Sequence, residues 1–232
     1  MTMSPNPSFA SDRPRPPSDA SPRGLLTTGL VGGWLTAASW ATFTVVIVVA
    51  ALMGAGGQRD QGLFDFAMGA GVLAFLAMLT WLAGMVCTSV GWFGMAKLHP
   101  GVAGVLAWLS IVVTACALIL PFLGAAMNVS GAYIIVVLGG LVTVAFYVLH
   151  ASFWAQRGRA RGAARIAVVG SIIAALACLV VTIAVLTRSQ PDSVFMLFVV
   201  IAAPFSAFLA HLGAGLATGQ ERETASALSS FD

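Results

Sequence analysis

The chain has 232 residues, of which 59% are hydrophobic and only 8% charged, and its formal net charge is +3. An ordinary soluble domain carries about 25% charged residues, so the solvent for most of this chain is lipid rather than water. The small positive balance gives no basic surface for nucleic acid. Cys87, Cys116 and Cys178 stand alone in apolar runs, without the spacing of a disulfide framework or a zinc site.

Residues 1–28 read as a Pro/Ser-rich cytoplasmic tail. Six of the ten prolines fall within its first 23 residues, and such a composition buries too little apolar area to fold. The stretch Arg13-Pro14-Arg15-Pro16-Pro17 matches a polyproline ligand, although a plain solvated tail is the simpler reading. The first apolar run is too long for a signal-peptide core and is expected to stay as an anchor.

Six apolar runs follow, at about 29–55, 67–95, 101–127, 131–155, 166–187 and 194–217. Each is near or above the ~20 residues a helix needs to cross ~30 Å of hydrocarbon. Turn chemistry separates them: Gly56 to Gly62, His99-Pro100-Gly101, Asn128-Val129-Ser130-Gly131, a basic stretch from Gln156 to Arg165, and Gln190-Pro191-Asp192-Ser193. Pro100 suits the first position of the third helix, and Asp192 or Ser193 the N-cap of the sixth.

Orientation follows from the loops. With the N-terminus inside, nine of the eleven Lys and Arg residues fall on the cytoplasmic side, leaving Arg59 and Arg188 outside. This is a positive-inside pattern, and an even number of spans brings the C-terminal tail, 218–232, back to the cytoplasm, where it is expected to fray. Arg157, Arg159, Arg161 and Arg165 form the strongest basic cluster. It sets topology and meets anionic lipid headgroups. Trp34, Trp92, Trp154 and Tyr133 sit where interfacial anchors would. The spans also carry small residues four apart, such as Gly29, Gly33, Ala37 and Ala41, or Ala210 and Ala214, a spacing that lets helices pack closely in lipid. Pro121 and Pro204 read as local kinks.

Function has to be sought among few polar groups. The spans contain no Asp, Glu, Lys, Arg, Asn or Gln, which argues against ion-coupled transport, proton pumping and voltage sensing. The only lysine, Lys97, lies in a loop, so no retinal Schiff base is available. Hydroxyls at Thr80, Thr114, Thr143 and Thr182 could line a pore, but bonding to their own helices is their ordinary role. His150 and His211 fall at similar depth on different helices, ~10 and ~15 Å inside the cytoplasmic boundary. Two such histidines could hold one b-type haem, with bonding to a nearby carbonyl or hydroxyl as the simpler alternative. His99 belongs to an interfacial loop.

Ser130-Gly131 at the start of the fourth span and Ala210-His211-Leu212-Gly213 in the sixth are similar to the rhomboid intramembrane serine proteases. The resemblance implies Ser130 as nucleophile and His211 as its base. It covers about ten residues, and Asn128 replaces the first glycine of the family's Gly-x-Ser-Gly. The second span also lacks a histidine or asparagine for the oxyanion. Depth opposes it as well: Ser130 starts its helix at the outer surface, ~40 Å of helix from Arg157, whereas the two side chains must approach within ~3 Å.

The sequence therefore predicts an all-α integral membrane protein, a bundle of six transmembrane helices (29–217) with both termini cytoplasmic, seated in a bacterial inner membrane. The expected role is non-enzymatic: a structural, assembly or accessory subunit associated with other membrane subunits. The alternatives are a haem-b electron carrier using His150 and His211, and a facilitator for a small neutral solute or lipid.

Overall fold

The computed structural model describes residues 22–55, 61–126, 129–157, 162–187 and 193–228. They form α1 (Pro22–Ala55), α2 (Gln61–Leu98), α3 (Val102–Ala126), α4 (Val129–Arg157), α5 (Gly162–Thr187) and α6 (Ser193–Leu228). All six are long and apolar enough to cross a membrane. The tail residues 1–21 and the loop arginines Arg159 and Arg161 lie outside the described residues, as does Asn128; Tyr133 and Ser130 lie outside those whose side chains are described.

The helices overrun the apolar stretches that define them. α1 starts at Pro22, where the fixed φ of proline suits a first helical position. α6 passes Ala217 and carries Glu221, Arg222 and Glu223 as far as Leu228. Hydropathy marks where lipid must be met, whereas backbone hydrogen bonding continues for as long as the chain stays regular. The turn between α2 and α3 differs from expectation in detail. Gly101, with φ 103°, accepts from the amides of Gly104 (3.0 Å) and Val105 (3.3 Å) and so stands at the N-cap of α3. Pro100 precedes it, because the left-handed φ needed there suits glycine and is closed to proline.

Each helix packs against its neighbours in sequence, and α6 closes onto α1, so the six make a ring. Its packing inverts that of a soluble protein. On α5 the buried face is Ala164, Ala167, Gly170, Ser171, Ala174 and Thr182, while Ile166, Val169, Ile172, Leu176 and Leu179 face outward. Large aliphatic side chains gain nothing by leaving hydrocarbon. Close backbone approach through small residues supplies the attraction instead.

Two antiparallel seams show this at residue level. Between α1 and α2, Gly29 lies on Gly91, Gly32 on Thr88, and Gly84 on Thr36. As the α1 partner advances along the chain its α2 partner steps back by the same number of residues, as one unbroken antiparallel register requires. A Cβ on Gly29 would stand 2.6 Å from the Cα of Gly91, which is backbone and cannot move aside. Between α5 and α6, Gly170 lies on Ala210 and Gly213 on Ala167. Gly33 brings α1 against Gly215 of α6 and closes the ring.

Candidate functional site

The interior of the ring divides into two parts along its axis. Toward the end that carries Arg157 and His99, it is filled by an aromatic plug. Phe146, His150, Phe153 and Trp154 lie on one face of α4 at i, i+4, i+7 and i+8 spacing, and Trp92 of α2 reaches across to them. Trp92 packs edge-on against His150 (5.6 Å between centroids) and Phe153 (5.0 Å). Phe146 stacks on His150 at 5.6 Å. The Arg157 guanidinium covers Phe153, 4.4 Å from its centroid.

Trp92 and Trp154 are therefore core residues, 4% and 1% exposed, rather than interfacial anchors. Their position near helix ends suggested an interface, but they face the ring's interior. Trp34, half exposed on the outer side of α1, keeps an anchor's position. Arg157 and Arg165 terminate α4 and open α5 on either side of the basic loop.

His150 is fully engaged at the centre of the plug. Trp154 Nε1–H, which can only donate, points at His150 Nε2 at 3.3 Å. Nδ1 therefore carries the ring proton and donates to Ser171 Oγ at 2.6 Å. The Ser171 hydroxyl in turn donates to the Ala167 carbonyl, also at 2.6 Å. The result is a closed relay from α4 to α5 with every polar atom satisfied. The i, i+4 spacing of His150 and Trp154 was legible in the sequence, but Ser171, 21 residues away, was not.

His211 of α6 joins the edge of this plug. Its ring lies 6.2 Å from His150, 6.4 Å from Phe146 and 6.2 Å from Tyr147. The structure thus brings together the two histidines singled out from sequence, but the pair does not fit a haem. Both nitrogens of His150 already have partners, and Phe146 stacks on both imidazoles, at 29° and 21°. No free nitrogen of His150 is left for iron. Nor does α4 bring Ser130 to His211: Tyr147, beside His211, is 17 residues along the helix from Ser130, or about 25 Å. His99 stands apart at the turn, 3.9 Å from Glu221 and beyond hydrogen-bond reach. Among the described residues, no three His, Cys, Asp or Glu side chains converge as a metal site would need.

Beyond the plug, on the side away from Arg157, the ring forms a partly open chamber of about 270 Å³. Five helices contribute to its wall: Trp40 of α1, Met85 of α2, Val113 and Cys116 of α3, Gly139 and Tyr147 of α4, and His211 of α6.

No family model, curated protein or solved structure matches this chain.

Its chemistry is therefore read from the chamber itself. Most hydroxyls of the bundle are spent on their own helices. Thr80, Thr114, Thr143 and Thr182 donate to the carbonyls four residues back at 2.7–2.9 Å, as their ordinary role predicts. Among the described residues, six buried side-chain polar atoms find no hydrogen-bond partner in the protein: Thr36 Oγ1, Thr88 Oγ1, Trp40 Nε1, Trp92 Nε1, His99 Nε2 and His211 Nδ1. Of these, Trp40 Nε1 and His211 Nδ1 belong to chamber-wall residues. Buried polar groups are nearly always paired. Sequence reasoning missed Trp40, whose only signal was its position far from either end of a span.

Proposed function

We propose that this is a non-enzymatic integral membrane protein that binds a small neutral molecule within its helix ring. The supporting observation is the chamber, apolar on most sides, with the unpartnered buried Nε1 of Trp40 and the imidazole of His211 at its wall. That combination is the pattern of a small-molecule site, with apolar walls for affinity and a few polar groups for orientation. A volume just under the ~300 Å³ at the lower end of ligand pockets selects a compact ligand. The spans carry no Asp, Glu, Lys or Arg, which favours a neutral one.

The aromatic plug closes the ring toward Arg157, which favours binding over open conduction. The positive-inside pattern supports an orientation with both termini cytoplasmic, and the Ala/Gly/Val-rich composition suits a bacterial inner membrane. The basic loop of Arg157, Arg159, Arg161 and Arg165 would rest on anionic headgroups, and the lipid-facing aliphatic surface leaves room for other membrane subunits.

The test is mass spectrometry of solvent extracts from the detergent-purified protein, compared with an Ala117→Phe variant that fills the chamber. A neutral small molecule retained by the wild type and absent from the variant is expected; identical extracts would overturn the reading. Liposomes holding the protein should be no more permeable to glycerol than empty ones. A glycerol flux that Ala117→Phe abolishes would make it a facilitator instead.

A further inference from the structure

His211 borders a second cavity as well. This one measures about 20 Å³ and lies where α1, α2 and α6 meet, with Gly33, Gly91 and Gly215 at its wall. The glycines bring three backbones together, and the space left between them suits one molecule of water, which needs at least about 10–15 Å³ by the same measure. Around it, three residues each carry a buried polar atom that no protein group meets: Thr88 Oγ1, Trp92 Nε1 and His211 Nδ1. Thr88 differs here from the threonines that bond back to their own helices. Its hydroxyl is turned toward α1, over Gly32.

We propose that a single buried water bridges Trp92, Thr88 and His211, and that it fixes His211 as the Nε2–H tautomer. Three polar partners match the ~3 hydrogen bonds that a buried water typically makes. The direction of each bond follows from the donor inventory. An indole N–H can only donate, so Trp92 takes one lone pair of the water. The Thr88 hydroxyl donates to the second, and the water donates one hydrogen to His211 Nδ1. Around the water this arrangement leaves one donor unspent, the second water hydrogen; the far nitrogen of His211 lies outside the count in either tautomer. If His211 Nδ1 carried the proton instead, both the Thr88 hydroxyl and a water hydrogen would be left unspent. The first arrangement is therefore favoured, and a neutral imidazole accepting at Nδ1 must carry its proton on Nε2.

The consequence reaches the chamber, because His211 lines both spaces. With Nε2–H on His211 and Nε1–H on Trp40, the chamber wall offers two donors. Its ligand must then present an acceptor, such as a carbonyl oxygen on a compact apolar frame. This last step rests on the ligand-binding reading above, whereas the water bridge does not.

The experiment is solid-state NMR of the full chain in lipid bilayers, with ¹⁵N-labelled histidine and tryptophan. His211 is assigned by sequential correlations and by its loss in His211→Gln. The expected result is an unprotonated Nδ1 and a protonated Nε2 on His211, with magnetisation passing from water to the Trp92 indole N–H. A protonated Nδ1, or no transfer to Trp92 in the wild type, would overturn the proposal. Thr88→Val should reduce that transfer, and Thr88→Val with Trp92→Phe should be non-additive in stability, since one water couples them. Additive effects would contradict a shared bridge. The ligand class is read separately, by binding of cyclohexanone against methylcyclohexane. A preference of about tenfold for the ketone is expected. Equal binding with the predicted tautomer intact would remove the acceptor requirement and leave the water bridge standing.

Discussion

His150 and His211 lie side by side, 6.2 Å apart and both nearly inaccessible, yet their surroundings differ in kind. The region around His150 is closed: Trp154 and Ser171 occupy its two nitrogens, and aromatic rings fill the space beyond. The region around His211 is open on two sides, with one cavity at the α1–α2–α6 junction and the chamber within the ring. A buried histidine with both nitrogens bonded to protein holds helices together. One with an unmet nitrogen at a cavity wall is placed to hold something else. Residue type is the same and depth and burial are similar for both, and only the bookkeeping of donors and acceptors separates them.

The largest effect should come from the seam that frames both regions. Gly29→Ala drives a methyl into the backbone of Gly91, which cannot give way, and should cost more than the ~1–3 kcal/mol of ordinary overpacking, enough to open the α1–α2 seam. Loss of monodisperse protein on gel filtration, or a clear drop in the unfolding midpoint, would register it. Next comes the plug. His150→Ala empties a packed site and leaves the Trp154 indole N–H without its acceptor, so a loss of about 2–5 kcal/mol is expected in denaturant titrations. Its spectrum should not change, because His150 has no nitrogen left for iron. A haem absorption band in wild-type protein made with adequate haem, bleached by this variant, would break the contrast outright.

His211→Ala should behave in the opposite way. With fewer protein bonds to lose, it should destabilise less than His150→Ala in the same titration. Trp40→Phe is gentler still: it removes one chamber donor while keeping the ring, so ligand retention should fall about tenfold with stability nearly unchanged. If Trp40→Phe lowers the unfolding midpoint and leaves ligand retention intact, the nitrogen is structural and the chamber reading fails.

The smallest effect lies outside both regions, at the turn. Burial, and then the nearby Arg157 charge, hold the pKa of His99 below its usual 6.5, with Glu221 opposing them. The folded state therefore resists protonating His99 more than the unfolded chain does. Its contribution is present above pH ~6.5 and declines as the pH falls below that value. His99→Gln should flatten the stability profile slightly over that acid range, and unchanged curves would show that Glu221 fully offsets the other two influences.

Much of the fold was legible because lipid imposes a one-dimensional rule: an apolar run of sufficient length must be a helix, and turn residues must part the runs. Small residues four apart correctly marked α1 contacts at Gly29 and Gly33, and α6 contacts at Ala210. Gly91 and Thr88, the partners on α2, were not legible, because register between two helices depends on how their surfaces mesh. The tryptophans show the limit most clearly. Trp34, Trp92 and Trp154 all occupy ends of apolar segments, and sequence alone gives them one role. The ring leaves Trp34 half exposed and buries the other two in the plug.

The sequence by itself determined that this chain is made of six apolar helices, that its interior would be built from small residues, and that its chemistry would rest on a few neutral polar groups. Those properties follow from composition and spacing along the chain. Tertiary structure alone decided which of those polar groups would be met. A hydroxyl bonds back to its own helix wherever the local backbone allows, but Ser171, Thr88, Trp40 and His211 find or miss their partners on other helices. That outcome depends on the angle and register at which helices cross, and only the packed ring sets them.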